Sequence, residues 1–164
     1  MLGVRGGIAL PELESLYRER YDHFARVASA ITGDGESGRD AVQNAFAAAV
    51  RGRRSFRGTG SVDAWLWRIV VNEAKRLRRE PLHQPLEAAH APATNGNGGR
   101  DELGVRTLLA ALPDRQKEVV YLRYYADLGY REIAEVLEIE VGTVSATLSA
   151  AHTRLRKTLR KVER

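Results

Sequence analysis

The chain has 164 residues, no cysteine and a formal net charge of +5, which allows one ordinary domain or two small ones and excludes a disulfide framework or thiolate metal site. At 43% hydrophobic and 29% charged it has the makeup of a globular protein, so wholesale disorder is excluded, and the basic balance favours a polyanionic partner. His23, His83, His90 and His152 share no ligand spacing, so no metal and no cofactor is expected, and no apolar run approaches the roughly 18 residues of a membrane span.

The first nine residues are Gly-rich and mildly apolar, too short for a signal peptide, and read as a disordered lead-in (1–9). A helical module follows over 10–80. Leu13, Leu16, Tyr17, Tyr21, Phe24, Val27, Ala28 and Ile31 recur at helical spacing, with Pro11 suited to the first turn and Gly33 to the stop. Ala41, Val42, Ala45, Phe46, Ala49 and Val50 predict a second helix over about Gly38 to Val50. Trp65, Leu66, Ile69, Val70 and Leu77 predict a third over about Val62 to Arg79, with Ser61 as its cap.

From Pro81 the chain turns rich in Pro, Ala, Asn and Gly and carries almost no charge, which predicts a flexible linker over 81–100. The second module, 101–164, opens with a short helix from Val105 to Leu112. Pro113 then starts a helix reaching about Tyr125, and Asp127-Leu128-Gly129 turns into the next. Val144, Leu148, Ala151, Leu155, Leu159 and Val162 keep one apolar face, so the last helix is long. No segment alternates with period two. The expected fold is all-α, two small helical domains joined by a linker.

Two constellations point to nucleic acid. The stretch Tyr130-Arg131-Glu132-Ile133-Ala134-Glu135-Val136-Leu137 followed by Val141-Gly142-Thr143-Val144 fits a helix-turn-helix, which places its second helix in a DNA major groove. Ile133-Ala134 permits close helix approach, and Leu137, Ile139 and Val144 supply the corner. Thr143 is placed to cap the second helix or touch a phosphate. Glu138 stands at the corner where Gly is usual, and a left-handed backbone there costs on the order of 1 kcal/mol. The exposed face of the second helix carries Ser145, Thr147 and Ser149, with no cation before Arg154, so bidentate reading of guanine is excluded from its first turns. Arg154, Arg156, Lys157, Arg160 and Lys161 offer phosphate attraction instead.

The other constellation spans Arg51 to Arg79. Arg51, Arg53, Arg54 and Arg57 lead into the loop Gly58-Thr59-Gly60-Ser61. Trp65, Trp67, Arg68, Asn72, Lys75, Arg76, Arg78 and Arg79 follow on one helix. Rings on which bases stack, interleaved with cations that hold the backbone, suit single-stranded nucleic acid. Trp65 and Trp67 lie two apart on a helix, so only one of them can face the core.

The runs Asp40-Ala41-Val42-Gln43-Asn44-Ala45-Phe46, Ser55-Phe56-Arg57-Gly58 and Ala64-Trp65-Leu66-Trp67-Arg68-Ile69-Val70-Val71-Asn72-Glu73-Ala74 together resemble conserved region two of bacterial sigma-70-type factors. The Leu112-Pro113 helix and the Val141-Gly142-Thr143-Val144 helix-turn-helix resemble region four. Two such regions joined directly by a linker are the pattern of the extracytoplasmic-function (ECF) group, and the resemblance runs from about Leu10 to Leu159.

The resemblance implies a promoter-specificity subunit, not an enzyme, with core RNA polymerase, promoter DNA and an anti-sigma factor as partners. It implies a cytoplasmic location, at the nucleoid when bound to polymerase. Asp40, Gln43, Asn44 and Phe46 would dock on the β′ clamp coiled coil. Arg57, Gly58, Ser61, Trp65, Arg68, Asn72, Lys75, Arg76 and Arg79 would hold the melted −10 strand with one base flipped out. Arg131, Thr143, Ser145, Thr147, Ser149 and Arg154 would meet the −35 duplex while the second module contacts the β flap. The nearly neutral linker departs from the acidic linkers common in the family, and the weakly basic recognition helix implies weak or unusual −35 reading. A LuxR-like helix-turn-helix regulator and a helical sigma mimic are the alternatives; co-purification with core polymerase separates the first reading from both.

Overall fold

The computed structural model describes residues 6–80 and 100–163. Helix α1, Leu10–Thr32, starts with Pro11 in its first turn and ends where Gly33 turns left-handed at φ 96°, its N–H donating to the Ser29 carbonyl. Both marks stand where the sequence placed them. Helix α2, Gly35–Gly52, begins earlier than expected because Asp34 caps it, accepting the Ser37 N–H at 2.8 Å. Gly38 is part of this helix for a packing reason. A Cβ there would lie 2.1 Å from Ser29 Oγ and 2.6 Å from Ser29 N, so α1 and α2 can approach this closely only without a side chain.

A single 3₁₀ turn, Arg53–Ser55, follows α2. The Ile8 N–H donates to the Arg53 carbonyl at 2.9 Å, and the Ile8 side chain is buried. The expected disordered lead-in is therefore corrected for residues 6–9, because one buried aliphatic side chain and one backbone bond tie them to the bundle; residues 1–5 lie outside the described residues. Helix α3, Val62–Arg79, has the expected bounds, and Ser61 Oγ accepts the Ala64 N–H at 3.0 Å. Trp67 is fully buried against Phe24, with ring centroids 4.4 Å apart, and Phe46 lies edge-on to both Phe24 and Tyr17. Burying each such ring contributes about 1.5–3 kcal/mol. These aromatics hold the three long helices together.

The expected linker lies outside the described residues up to position 99. Helix α4, Arg100–Ala110, then opens before Val105, and α5, Asp114–Tyr124, starts behind Pro113. Helix α6, Tyr130–Leu137, is held at its start by the Gly129 N–H, which donates to Glu132 Oε2 at 2.8 Å. Helix α7 runs from Val141 to Val162. The core of this half is aliphatic: Val119, Leu122, Leu128, Ile133, Val136, Val144 and Leu148 are all buried. The apolar stripe of α7 outruns the bundle, leaving Leu159 46% and Val162 75% exposed.

The two helical groups touch, α3 against α6 and α1 against α5. Among the described residues no strand occurs and no helix is long and apolar enough to cross a membrane.

Candidate nucleic-acid interface

The loop after the 3₁₀ turn owes its shape to two left-handed glycines, Gly58 at φ 72° and Gly60 at φ 90°, a conformation that costs glycine nothing. With the first turns of α3 it lines an open cavity of about 750 Å³. Phe56, Trp65, Arg57, Ser61 and Arg68 line it, with Glu135 and Glu138 from the second module on the far side. Phe56 and Trp65 meet edge to face at 5.7 Å, so an apolar wall stands beside cations. A space of this kind can hold a flat base against a ring while guanidinium groups meet phosphate.

Of the two tryptophans, Trp67 is the core residue and Trp65 the half-exposed one. The structure brings Arg57, Ser61, Trp65 and Arg68 together at the cavity; Ser61 also spends its hydroxyl on the helix cap. Asn72, Lys75, Arg76 and Arg79 continue along α3 away from it. Arg57, Asn72 and Arg79 are exposed, with no ion pair among the described residues. Arg76 is held by Glu73 on its own helix and by Glu80 just past the helix end, and hydrogen bonding to Glu73 raises its pKa further. Lys75 is drawn inward: its Nζ lies 3.3 Å from Glu118 Oε2 of α5. The loop's aromatic partner, Phe56, is absent from the sequence-derived site; its place beside Arg57 and the glycines was the available signal.

On α2, Asp40, Gln43 and Asn44 share an exposed face. Phe46 does not join them. It is 7% exposed and packs on Tyr17 and Phe24, with only an edge reaching a groove of about 460 Å³ between α1 and α2 that Leu10, Leu13, Tyr17, Gln43 and Val50 also line. This groove is apolar, as a helical partner's side chains would require.

In the helix-turn-helix, Glu138 is left-handed at φ 55°, ψ 47°, as its corner position implied. Thr143 does not cap α7: Glu140 is the cap residue, without a side-chain bond, and the Thr143 hydroxyl is left exposed. The reason is register. Thr143 is the third residue of the helix, within its first turn, where its carbonyl accepts the Thr147 hydroxyl at 2.6 Å. Ser145, Ser149 and Arg154 are exposed on α7 and Arg131 on α6. At about 100° per residue, Thr143, Thr147 and Arg154 form one flank and Ser145 and Ser149 the other. Tyr124 and His152 meet nearby, hydroxyl to Nε2 at 2.9 Å. The basic cluster Arg156, Lys157, Arg160 and Lys161 lies on the last turns of α7.

Two family models match this chain: sigma-70 region 2 over residues 16–80 and sigma-70 region 4 over residues 103–155. An ECF RNA polymerase sigma factor, SigM of Mycobacterium tuberculosis, is 32% identical over 149 residues, covering 89% of this chain and 76% of that protein. The RNA polymerase sigma factor YlaC of Bacillus subtilis is 29% identical over 160 residues, covering 91% and 92%. A solved structure of the sigma factor RpoE with the anti-sigma factor NepR, from Bartonella quintana, aligns with a TM-score of 0.68 at 25% identity, covering 92% of this chain and 99% of that one. Matches on both modules, in this order, do not favour the LuxR-like regulator or the sigma mimic. The chain belongs to the sigma-70 family of RNA polymerase sigma factors, within its ECF group.

Proposed function

We propose that this sigma factor grips one promoter at two places, through unpaired bases held by its first module and through intact duplex held by its second. The observation that carries the reading is the cavity formed by Phe56, Arg57, Ser61, Trp65 and Arg68. It has room for a base turned out of the stack, and stacking with phosphate contacts offsets the few kcal/mol that extraction costs. Asn72, Lys75, Arg76 and Arg79 extend the track for the −10 strand along α3. The exposed α2 face of Asp40, Gln43 and Asn44, with the edge of Phe46 at the apolar groove, is the surface for the β′ clamp coiled coil. The second module sets α7 into the −35 duplex and contacts the β flap. Because Thr143, Ser145, Thr147 and Ser149 offer only hydroxyls, base reading there is weak, and Arg131 and Arg154 supply phosphate attraction.

The factor works in the cytoplasm, at the nucleoid when polymerase-bound, and is restrained by an anti-sigma factor; the relative solved with NepR supports such a partner. It performs no catalysis of its own, since polymerisation belongs to the core enzyme. Run-off transcription with core polymerase on a pool of genomic promoters is the test. Discrete transcripts that depend on the chain are expected, and a chain that fails to join the polymerase contradicts the reading.

A further inference from the structure

The loop that lines the aromatic cavity has two supported ends and an unsupported middle. Its far end is fixed where the Ser61 hydroxyl accepts the Ala64 N–H at 3.0 Å. Its middle turns on the left-handed Gly58 and Gly60, and among the described residues a Cβ at Gly58 would meet nothing within 4 Å. Its near end lies against a segment distant in sequence. The Ile8 N–H donates to the Arg53 carbonyl at 2.9 Å. A Cβ at Gly7 would lie 3.4 Å from the Arg53 carbonyl oxygen and from Arg54 Cα, and one at Gly6 would lie 3.3 Å from the Phe56 carbonyl oxygen and 4.0 Å from Arg57 Cα. The order of these partners shows that Gly6-Gly7-Ile8 runs beside residues 53–57 in the opposite direction, backbone against backbone.

We infer that Gly6-Gly7-Ile8 is a strap that positions the strand-binding loop, holding Phe56 against Trp65 and Arg57 at the cavity rim before a base arrives. The anchor is Ile8, whose side chain is 4% exposed and joins the core of the first bundle. Ile8 and Leu13, both buried, also stand at the two positions of a hydrophobic staple about Ala9, the cap residue of α1. A staple accounts for Ile8 alone. It leaves unexplained why two glycines precede it. Gly7, at φ 131°, holds a conformation that favours glycine, and a side chain at Gly6 would crowd the Phe56 carbonyl. The atoms nearest to both glycines belong to the loop and to the 3₁₀ turn before it. A loop already held in its binding shape loses less of its interaction with a strand to ordering. The inference rests on the reading of this cavity as the place of the −10 strand.

Two measurements on the full chain judge it. In the first, both tryptophans are replaced by 5-fluorotryptophan and read by fluorine NMR. Trp65 meets the loop through Phe56, whereas Trp67 lies in the core on Phe24. Gly6→Val and Ile8→Ser should shift or broaden the Trp65 resonance and leave that of Trp67 in place, and the conservative Ile8→Val should give the native spectrum. A Trp65 resonance unmoved by Gly6→Val overturns the strap. The second measures binding of a fluorescein-labelled, mixed-sequence single-stranded DNA 20-mer by anisotropy, with Trp65→Ala as the reference for loss of the cavity. Gly6→Val should weaken binding about tenfold. Val27→Ala, a fully buried change in α1 that serves as the control for lost stability, should bind as the native chain does. Where Trp65→Ala weakens binding, undiminished affinity in Gly6→Val, or equal losses in Gly6→Val and Val27→Ala, overturns the strap. If Trp65→Ala binds the 20-mer as the native chain does, the assignment of the cavity to the strand fails, and the fluorine spectrum still decides whether the strap holds the loop.

Discussion

The two faces proposed for nucleic acid are built from opposite materials. The α3 face combines rings, guanidinium groups and a cavity of about 750 Å³, whereas the start of α7 presents hydroxyls and methyls with no cation before Arg154. A face that must hold unpaired bases needs stacking surfaces, because an unstacked base has no other large apolar partner. A face that lies in a duplex groove meets stacked bases only at their edges, and small side chains suffice to touch them. On the proposed reading the division of labour is uneven: the first module would supply the energy of promoter opening, and the second would add placement.

Five changes would break or sharpen that contrast, the largest first. Trp67→Ala removes the central ring of the first bundle and should cost about 3–5 kcal/mol of stability in denaturant titrations, abolishing function through unfolding. Trp65→Ala, two residues away, should leave the fold standing while weakening capture of a single strand by about 1–3 kcal/mol, read as a ten- to hundredfold loss of open complex. If the two substitutions behave alike, the assignment of one ring to the core and the other to the strand is wrong. Thr143→Ala should lower duplex affinity only about fivefold, the worth of one hydrogen bond, and Arg154→Gln should reduce the salt slope of binding by about one. The smallest effect belongs to Glu138→Gly, which relieves a left-handed non-glycine backbone and should raise stability by about 0.5–1 kcal/mol in thermal melts.

What the sequence revealed follows the range of the interactions involved. The bounds of α3 and the end of α1 were legible because Ser61 and Gly33 act within one turn of the helix they close. The start of α2 was placed at Gly38 instead of Gly35 because its cap, Asp34, stands well ahead of the first apolar residue, Ala41. Gly38 is there for contact with Ser29 on another helix, which no local pattern records. Ile8 was missed likewise, as a single apolar residue in a Gly-rich run whose partner is the Arg53 carbonyl. The spacing of Trp65 and Trp67 showed that they must part company, and only packing against Phe24 decided which went inside. Of the two roles read for Thr143, capping falls to Glu140, three residues earlier, because the helix starts at Val141. The pairing of Lys75 with Glu118 joins residues on opposite sides of the linker, and charges that distant in sequence carry no mark of their partner.

Permanganate footprinting of a promoter bound by core polymerase and this factor tests the account most directly. Thymines upstream of the start should become reactive with the native chain, and should stay protected with a Trp65→Ala, Arg68→Ala variant that still joins the polymerase. Equal reactivity with both proteins would show that the strand is held elsewhere, and the role given to the α3 cavity would be lost.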